Sequence, residues 1–131
     1  LGRSEYESFP AEMVLLDDFL KRENVPTASF LKCDVEGAEL MALRGARKLL
    51  SEQAAPLVMF ECNKETSEAF GYTPFDIFAF CKELGFQYFF KILGSGFLEP
   101  LVFERAEHFD EINVIAAKEG RVSRCKALVR H

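Results

Sequence analysis

A chain of 131 residues has room for one domain with a substantial core, and 49% hydrophobic with 28% charged residues is ordinary for a globular protein in water. The formal charge of −5 argues against a nucleic-acid backbone as the main partner, because binding to phosphates is driven by lysine and arginine. No apolar run approaches the roughly 18 residues of a membrane span, and the opening residues lack a charged-then-apolar signal pattern, so a cytoplasmic location is expected.

Taken in chain order, Leu15, Leu16, Phe19 and Leu20 recur at helical spacing between Val14 and Arg22, and Asn24-Val25-Pro26 stops the pattern. Phe30 to Val35 alternates less than a surface strand would, which predicts a strand covered on both faces. A helix is expected to follow at once, from Glu36 to Glu52, with Leu40, Leu43, Arg47 and Leu50 near one face. Gly45 marks a break or a tight contact within it. Pro56 closes the helical region, and Leu57-Val58-Met59-Phe60-Glu61 reads as a second buried strand.

Cys62 to Tyr72 reads as a polar loop. Thr73 then suits a helix N-cap, with Pro74 at the first helical position and Asp76 as the distal half of a capping box. Ile77, Phe78, Cys81 and Leu84 share a face of that helix, and Gly85 stands where a left-handed cap would end it. A third strand is expected from Phe86 to Leu93, followed by the hairpin turn Gly94-Ser95-Gly96, an irregular acidic stretch, and a fourth strand from Ile112 to Ala117. Residues 120 to 131 hold Arg121, Arg124, Lys126 and Arg130 with no acid, and read as a solvated, frayed terminus rather than a phosphate-binding or membrane-surface arm. Cys33, Cys62, Cys81 and Cys125 show no Cys-x-x-Cys pair and no zinc spacing, so reduced, buried thiols are expected.

Strand, helix, strand, helix, strand predicts an α/β fold with a mostly parallel sheet and helical crossovers. No crossover helix fits before the last strand, which is therefore expected to run antiparallel beside the third.

The stretch Lys32-Cys33-Asp34-Val35-Glu36-Gly37-Ala38-Glu39-Leu40 carries the most chemical information. It places Asp34, Glu36 and Glu39 where a buried strand would turn into a helix, a point that faces the ligand crevice of an open α/β sheet. Carboxylates there must be paired, hydrated, bound to a metal or used on a substrate. In the first helical turn, Glu36 and Glu39 would also favour the positive end of the helix dipole, whereas Asp34 precedes the helix. Glu61 again comes at a strand end, with Asn63 just beyond; it either joins the same crevice or pairs with Lys32. His108 and His131 are the only histidines, and His108, in an acidic loop, is read as solvated rather than as a base or metal ligand.

The run LKCDVEGAELMALRGARKLL followed by PLVMFECN resembles the signature region of the FkbM-type methyltransferases, through Lys32, Asp34, Glu36, Gly37, Glu39, Gly45, Pro56 and Glu61. The resemblance implies the carboxyl-terminal half of a Rossmann-like (class I) methyltransferase domain, a doubly wound sheet mostly parallel with a last antiparallel strand. It implies S-adenosylmethionine as the methyl donor and a hydroxyl oxygen of a sugar, polyketide or glycan as acceptor. Asp34 and Glu36 would then act in catalysis, and Glu61, Asn63 and Glu39 would contact the acceptor. A divalent metal could assist by acidifying the hydroxyl. The family's cofactor-binding strands, with their glycine-rich turn, have no counterpart in residues 1–131, so this single partial domain is expected to bind the cofactor poorly on its own. The competing reading is a non-catalytic remnant that self-associates through an exposed sheet edge. A metal-dependent hydrolase is the third, but the Asp and His ligands it would need at strand ends are missing.

Overall fold

The computed structural model describes residues 6–101 and 111–130. Five strands, β1 (Phe30–Cys33), β2 (Leu57–Cys62), β3 (Tyr88–Ile92), β4 (Leu98–Pro100) and β5 (Ile112–Ala117), form one sheet in the order β1-β2-β5-β3-β4. The helices are α1 (Leu16–Arg22), α2 (Glu39–Arg44), α3 (Arg47–Ser51), α4 (Lys64–Ala69), α5 (Pro74–Glu83) and α6 (Glu119–Lys126). The fold is mixed α/β, as expected, but the mostly parallel sheet is corrected. Among the described strands only β1 and β2 pair in parallel, and the other three ladders are antiparallel. β5 lies between β2 and β3 and runs against both, so β3 points the same way as β2 without pairing with it.

Alternation along β2 sends Val58, Phe60 and Cys62 to one face, where Val114 and Ala116 of β5 join them. Leu40 and Leu43 of α2, Leu50 of α3 and Ile77, Phe78 and Cys81 of α5 cover that face. Phe78 sits edge-on to Phe60 at 5.6 Å and to Phe89 at 5.2 Å. The opposite face is covered by α6 through Val122 and Cys125, packed on Phe90, Leu98 and Ala117. All four cysteines are free and buried, as expected.

Local signals placed several elements well. Thr73 N–H donates to Asp76 Oδ2 at 2.7 Å, completing the capping contact at the start of α5, and Gly85 (φ +94°) closes its end. The helical region expected from Glu36 to Glu52 breaks at Gly45 into α2 and α3, and Asp17 of α1 supplies the second start. Its two carboxylate oxygens accept from Lys48 N at 2.8 Å and Leu49 N at 3.0 Å, a cap donated from another helix and worth about 1 kcal/mol. The turn through Gly94-Ser95-Gly96 closes the β3–β4 hairpin, with Leu93 N donating to Phe97 O at 2.9 Å.

Four expectations are corrected. β1 is not covered on both faces: it is the edge strand, and Phe30 is 49% exposed. The polar loop from Cys62 to Tyr72 contains α4, whose sequence Lys-Glu-Thr-Ser-Glu-Ala has no apolar periodicity and buries only Ser67. Part of the irregular acidic stretch forms β4. The basic terminus is no frayed tail but α6, anchored by Lys118 Nζ on Glu52 O at 2.8 Å, Arg121 on Ala54 O at 3.0 Å, and Tyr88 donating to Glu119. Beyond α6, Leu98 N donates to Leu128 O and Arg130 N to Leu98 O, tying the end of the described chain to β4. His108 and His131 lie outside the described residues.

Candidate active site at the carboxyl rim of the sheet

β1 and β2 are parallel and end at the same rim, where antiparallel β5 begins. Cys33 is level with Phe60, so Asp34, the next residue, comes beside Glu61; Glu61 in turn stands opposite Asn113 of β5. This register brings a carboxylate from each of two adjacent strand ends to one place.

Between β1 and α2 the chain does not enter the helix at once, as expected, but makes a tight turn. Glu36 (φ +52°) and Gly37 (φ +105°) are both left-handed, and α2 starts only at Glu39. Glu36 therefore lies outside the first helical turn and is exposed at the rim, so the helix dipole does not explain it. Asp34 is half-exposed and pairs with Lys32 Nζ at 3.2 Å across the strand's end. Lys32 thus meets Asp34 rather than Glu61. Exposed pairs of this kind contribute about 1 kcal/mol or less, so the pair orients Asp34 more than it stabilises the fold.

Glu39 is placed quite differently. It is 2% exposed, with Oε1 accepting from Val35 N at 3.1 Å and Oε2 from Gly37 N at 3.0 Å. Asn63 caps α4, its Oδ1 accepting from Thr66 N at 3.2 Å. Glu36, Glu61 and Asp34 thus gather at the rim, while Glu39 lies beneath them and the Asn63 side-chain oxygen is engaged by backbone.

Electrostatics report the same convergence. Burial, then the charges of Glu36, Glu39, Asp34 and Glu111, pushes the Glu61 carboxyl above its ordinary range. Cys33, beneath the turn, is pushed up to about 11 by burial and then by Glu39 and Asp34. Glu111 belongs to this group although nothing in the sequence pattern singled it out; its left-handed backbone (φ +54°) just ahead of β5 turns the chain at the rim. Tyr72 was equally unmarked, and its hydroxyl donates to Gly37 O at 2.6 Å from behind the turn.

A raised carboxyl costs stability once it ionises. The advantage of the protonated form is present below the ordinary value of 4.5 and is lost as pH rises through the higher folded value. Glu61→Gln should therefore melt above the parent at neutral pH, and the gap should close by about pH 3, well below the ordinary value, where both side chains are neutral. Paired thermal melts at the two pH values check this.

Among the described residues, no group of three or more His, Cys, Asp or Glu side chains is arranged to hold a metal ion, so the rim carboxylates do not form a ready cation site. Nor do these residues fit the main seat of a nucleoside cofactor. The Gly-x-Gly run closes a hairpin instead of opening a helix, and the space above Gly37 is filled, with Thr66 O only 2.6 Å from where a Cβ would stand. A cleft of about 500 Å³ between α1 and α3 is lined by Leu20, Lys21, Val25, Lys48 and Leu49 at the amino ends of β1 and β2, away from the rim carboxylates. No helix among the described residues is long and apolar enough to cross a membrane.

The chain is thus a mixed α/β domain with acids gathered at the ends of two parallel strands, the edge that faces the ligand crevice in open α/β sheets. The model of the methyltransferase FkbM domain matches residues 1–88, from the start of the chain into β3, and the chain belongs to that family. No curated protein and no solved structure matches it.

Proposed function

We propose that this chain forms the acceptor side of a Rossmann-like, doubly wound methyltransferase domain that moves a methyl group from S-adenosylmethionine to a hydroxyl oxygen of a sugar, polyketide or glycan. The observation that carries the reading is the meeting of Asp34, Glu36 and Glu61 at one rim, in a chain of the FkbM family. Methylating an alcohol requires the hydroxyl to be held in line and its proton to be removed as the new bond forms. Asp34, fixed by Lys32, orients the hydroxyl and takes that proton; Glu36 accepts a hydrogen bond beside it. Glu61 and Asn63 face neighbouring hydroxyls of the acceptor. No step is assigned to the donor, because the residues described do not form its main seat.

Transfer of labelled methyl groups to a panel of hydroxyl acceptors, measured with these residues in a domain that also supplies the donor's seat, tests this. Asp34→Asn should slow transfer by about 10²-fold, the lower end of what a positioned proton acceptor contributes, and Glu36→Gln by less. Full activity in Asp34→Asn would remove Asp34 from the chemistry.

One observation favours a second reading, a non-catalytic interaction module. Among the described residues no strand pairs with the outer edge of β1, and Phe30 on that strand is half-exposed. An open edge beside apolar side chains invites pairing with a second copy. Sedimentation equilibrium should then show mass rising with concentration, and Phe30→Lys should return a monomer; a parent that stays monomeric at high concentration would dismiss it.

A further inference from the structure

We propose that Glu39 and Tyr72 form an internal clamp that holds the Asp34–Gly37 turn in its left-handed shape and thereby sets where the Glu36 carboxylate stands relative to Glu61. Both are positioning residues, and neither touches the acceptor. The turn needs such a device. A non-glycine residue in the left-handed region costs roughly 1–2 kcal/mol, and Glu36 occupies it at φ +52°. Its neighbours must repay that cost for the conformation to persist.

The repayment is visible on the inner side of the turn. Glu39 bridges two backbone donors, Val35 N–H and Gly37 N–H, one to each carboxylate oxygen. Hydrogen bonds to an ionised acceptor contribute about 1.5–3 kcal/mol each, so this bridge can outweigh the strain. Tyr72 closes the other side. Its single hydroxyl hydrogen points to Gly37 O at 2.6 Å, while the same oxygen lies 3.3 Å from Glu39 Oε2. The Gly37 peptide is thus gripped at both faces, N–H by Glu39 and the following carbonyl by Tyr72. Behind the turn stands α4, which fills the space a Gly37 side chain would need; Tyr72 N donates to Ser67 O, fastening the phenol to that helix. Glu39 is therefore a brace beneath the rim instead of the substrate contact expected for it.

This inference takes its functional meaning from the methyltransferase reading, but its test does not depend on that reading. In the whole chain, Tyr72→Phe keeps the ring and removes the hydroxyl. Amide hydrogen exchange at Val35 and Gly37 should quicken about fivefold or more, the loss expected for one hydrogen bond of about 1 kcal/mol. The Glu61 titration midpoint, followed by carboxyl-carbon NMR, should move toward its ordinary value as Glu36 drifts away; a purely structural tyrosine would leave it in place. Unchanged exchange at both amides overturns the clamp, and quickened exchange with an unmoved Glu61 midpoint overturns its control of Glu36. Glu39→Gln is a second probe that keeps the side-chain length: one of the two amides should lose protection, and retention of both would count against the bridge. In methyl-transfer assays Tyr72→Phe should lower kcat with KM unchanged. If a parent domain that also holds the donor's seat transfers no methyl group at all, the functional reading fails while the exchange and titration results still decide the clamp.

Discussion

Gly37→Ala should lower the melting temperature by roughly 10–20 °C, as measured by circular dichroism or calorimetry, or prevent folding altogether. Two independent penalties meet at this position. At φ +105° an alanine is strained by roughly 1–2 kcal/mol whatever space surrounds it. A Cβ there would also stand 2.6 Å from Thr66 O and 2.9 Å from Thr66 C, both backbone atoms of α4 that cannot swing aside as a side chain would. Forcing α4 away adds an overpacking cost of about 1–3 kcal/mol, for a total of roughly 2–5 kcal/mol. Gly94→Ala is the control: nothing lies within 4 Å of its Cβ position, so the melt should hardly move. Equal melting of the two variants would mean that α4 does not press on the turn.

Phe78→Ala should cost about 3–5 kcal/mol, the range for removing a buried aromatic ring from a packed core, and a denaturant midpoint shifted at constant slope would report it. Phe78 is almost wholly buried and holds the sheet and α5 together by edge contacts to Phe60 on β2 and Phe89 on β3. β2 and β3 are not neighbours in the sheet, since β5 lies between them. One ring on α5 therefore spans three strands, and its loss opens a cavity that neither flanking strand can close alone. Phe75→Ala, half-exposed in the first turn of the same helix, should cost far less. A small loss at Phe78 would show that the core collapses around the gap.

Much of the architecture was legible because its signals are local. The capping chemistry of Thr73 and Asp76, the proline that opens α5, the glycine that ends it, and the break at Gly45 each act within a few residues of themselves. The strand ends bearing Asp34 and Glu61 were legible for the same reason: an apolar run followed by an acid marks where a strand leaves the interior. α4 escaped because a six-residue helix that buries a single serine leaves no periodic apolar trace, and its start depends on the Asn63 cap. α6 escaped because its basic residues hid the two positions, Val122 and Cys125, that pack on the sheet.

The amino-acid sequence by itself determined the α/β class, the family to which the chain belongs, and which carboxylates end the strands, since these follow from residue type, short-range spacing and motif. Tertiary structure alone decided that β5 would part β2 from β3, that β1 would lie at an edge, and that Glu39 would turn inward while Glu36 stayed at the rim. Each of those outcomes depends on partners far away in the chain. Ladder hydrogen bonds join β2 to a strand some fifty residues later, and the Tyr72 hydroxyl reaches Gly37 across 35 positions. No window of neighbouring residues holds that information, because the energies that choose between alternatives arise only when the two segments meet.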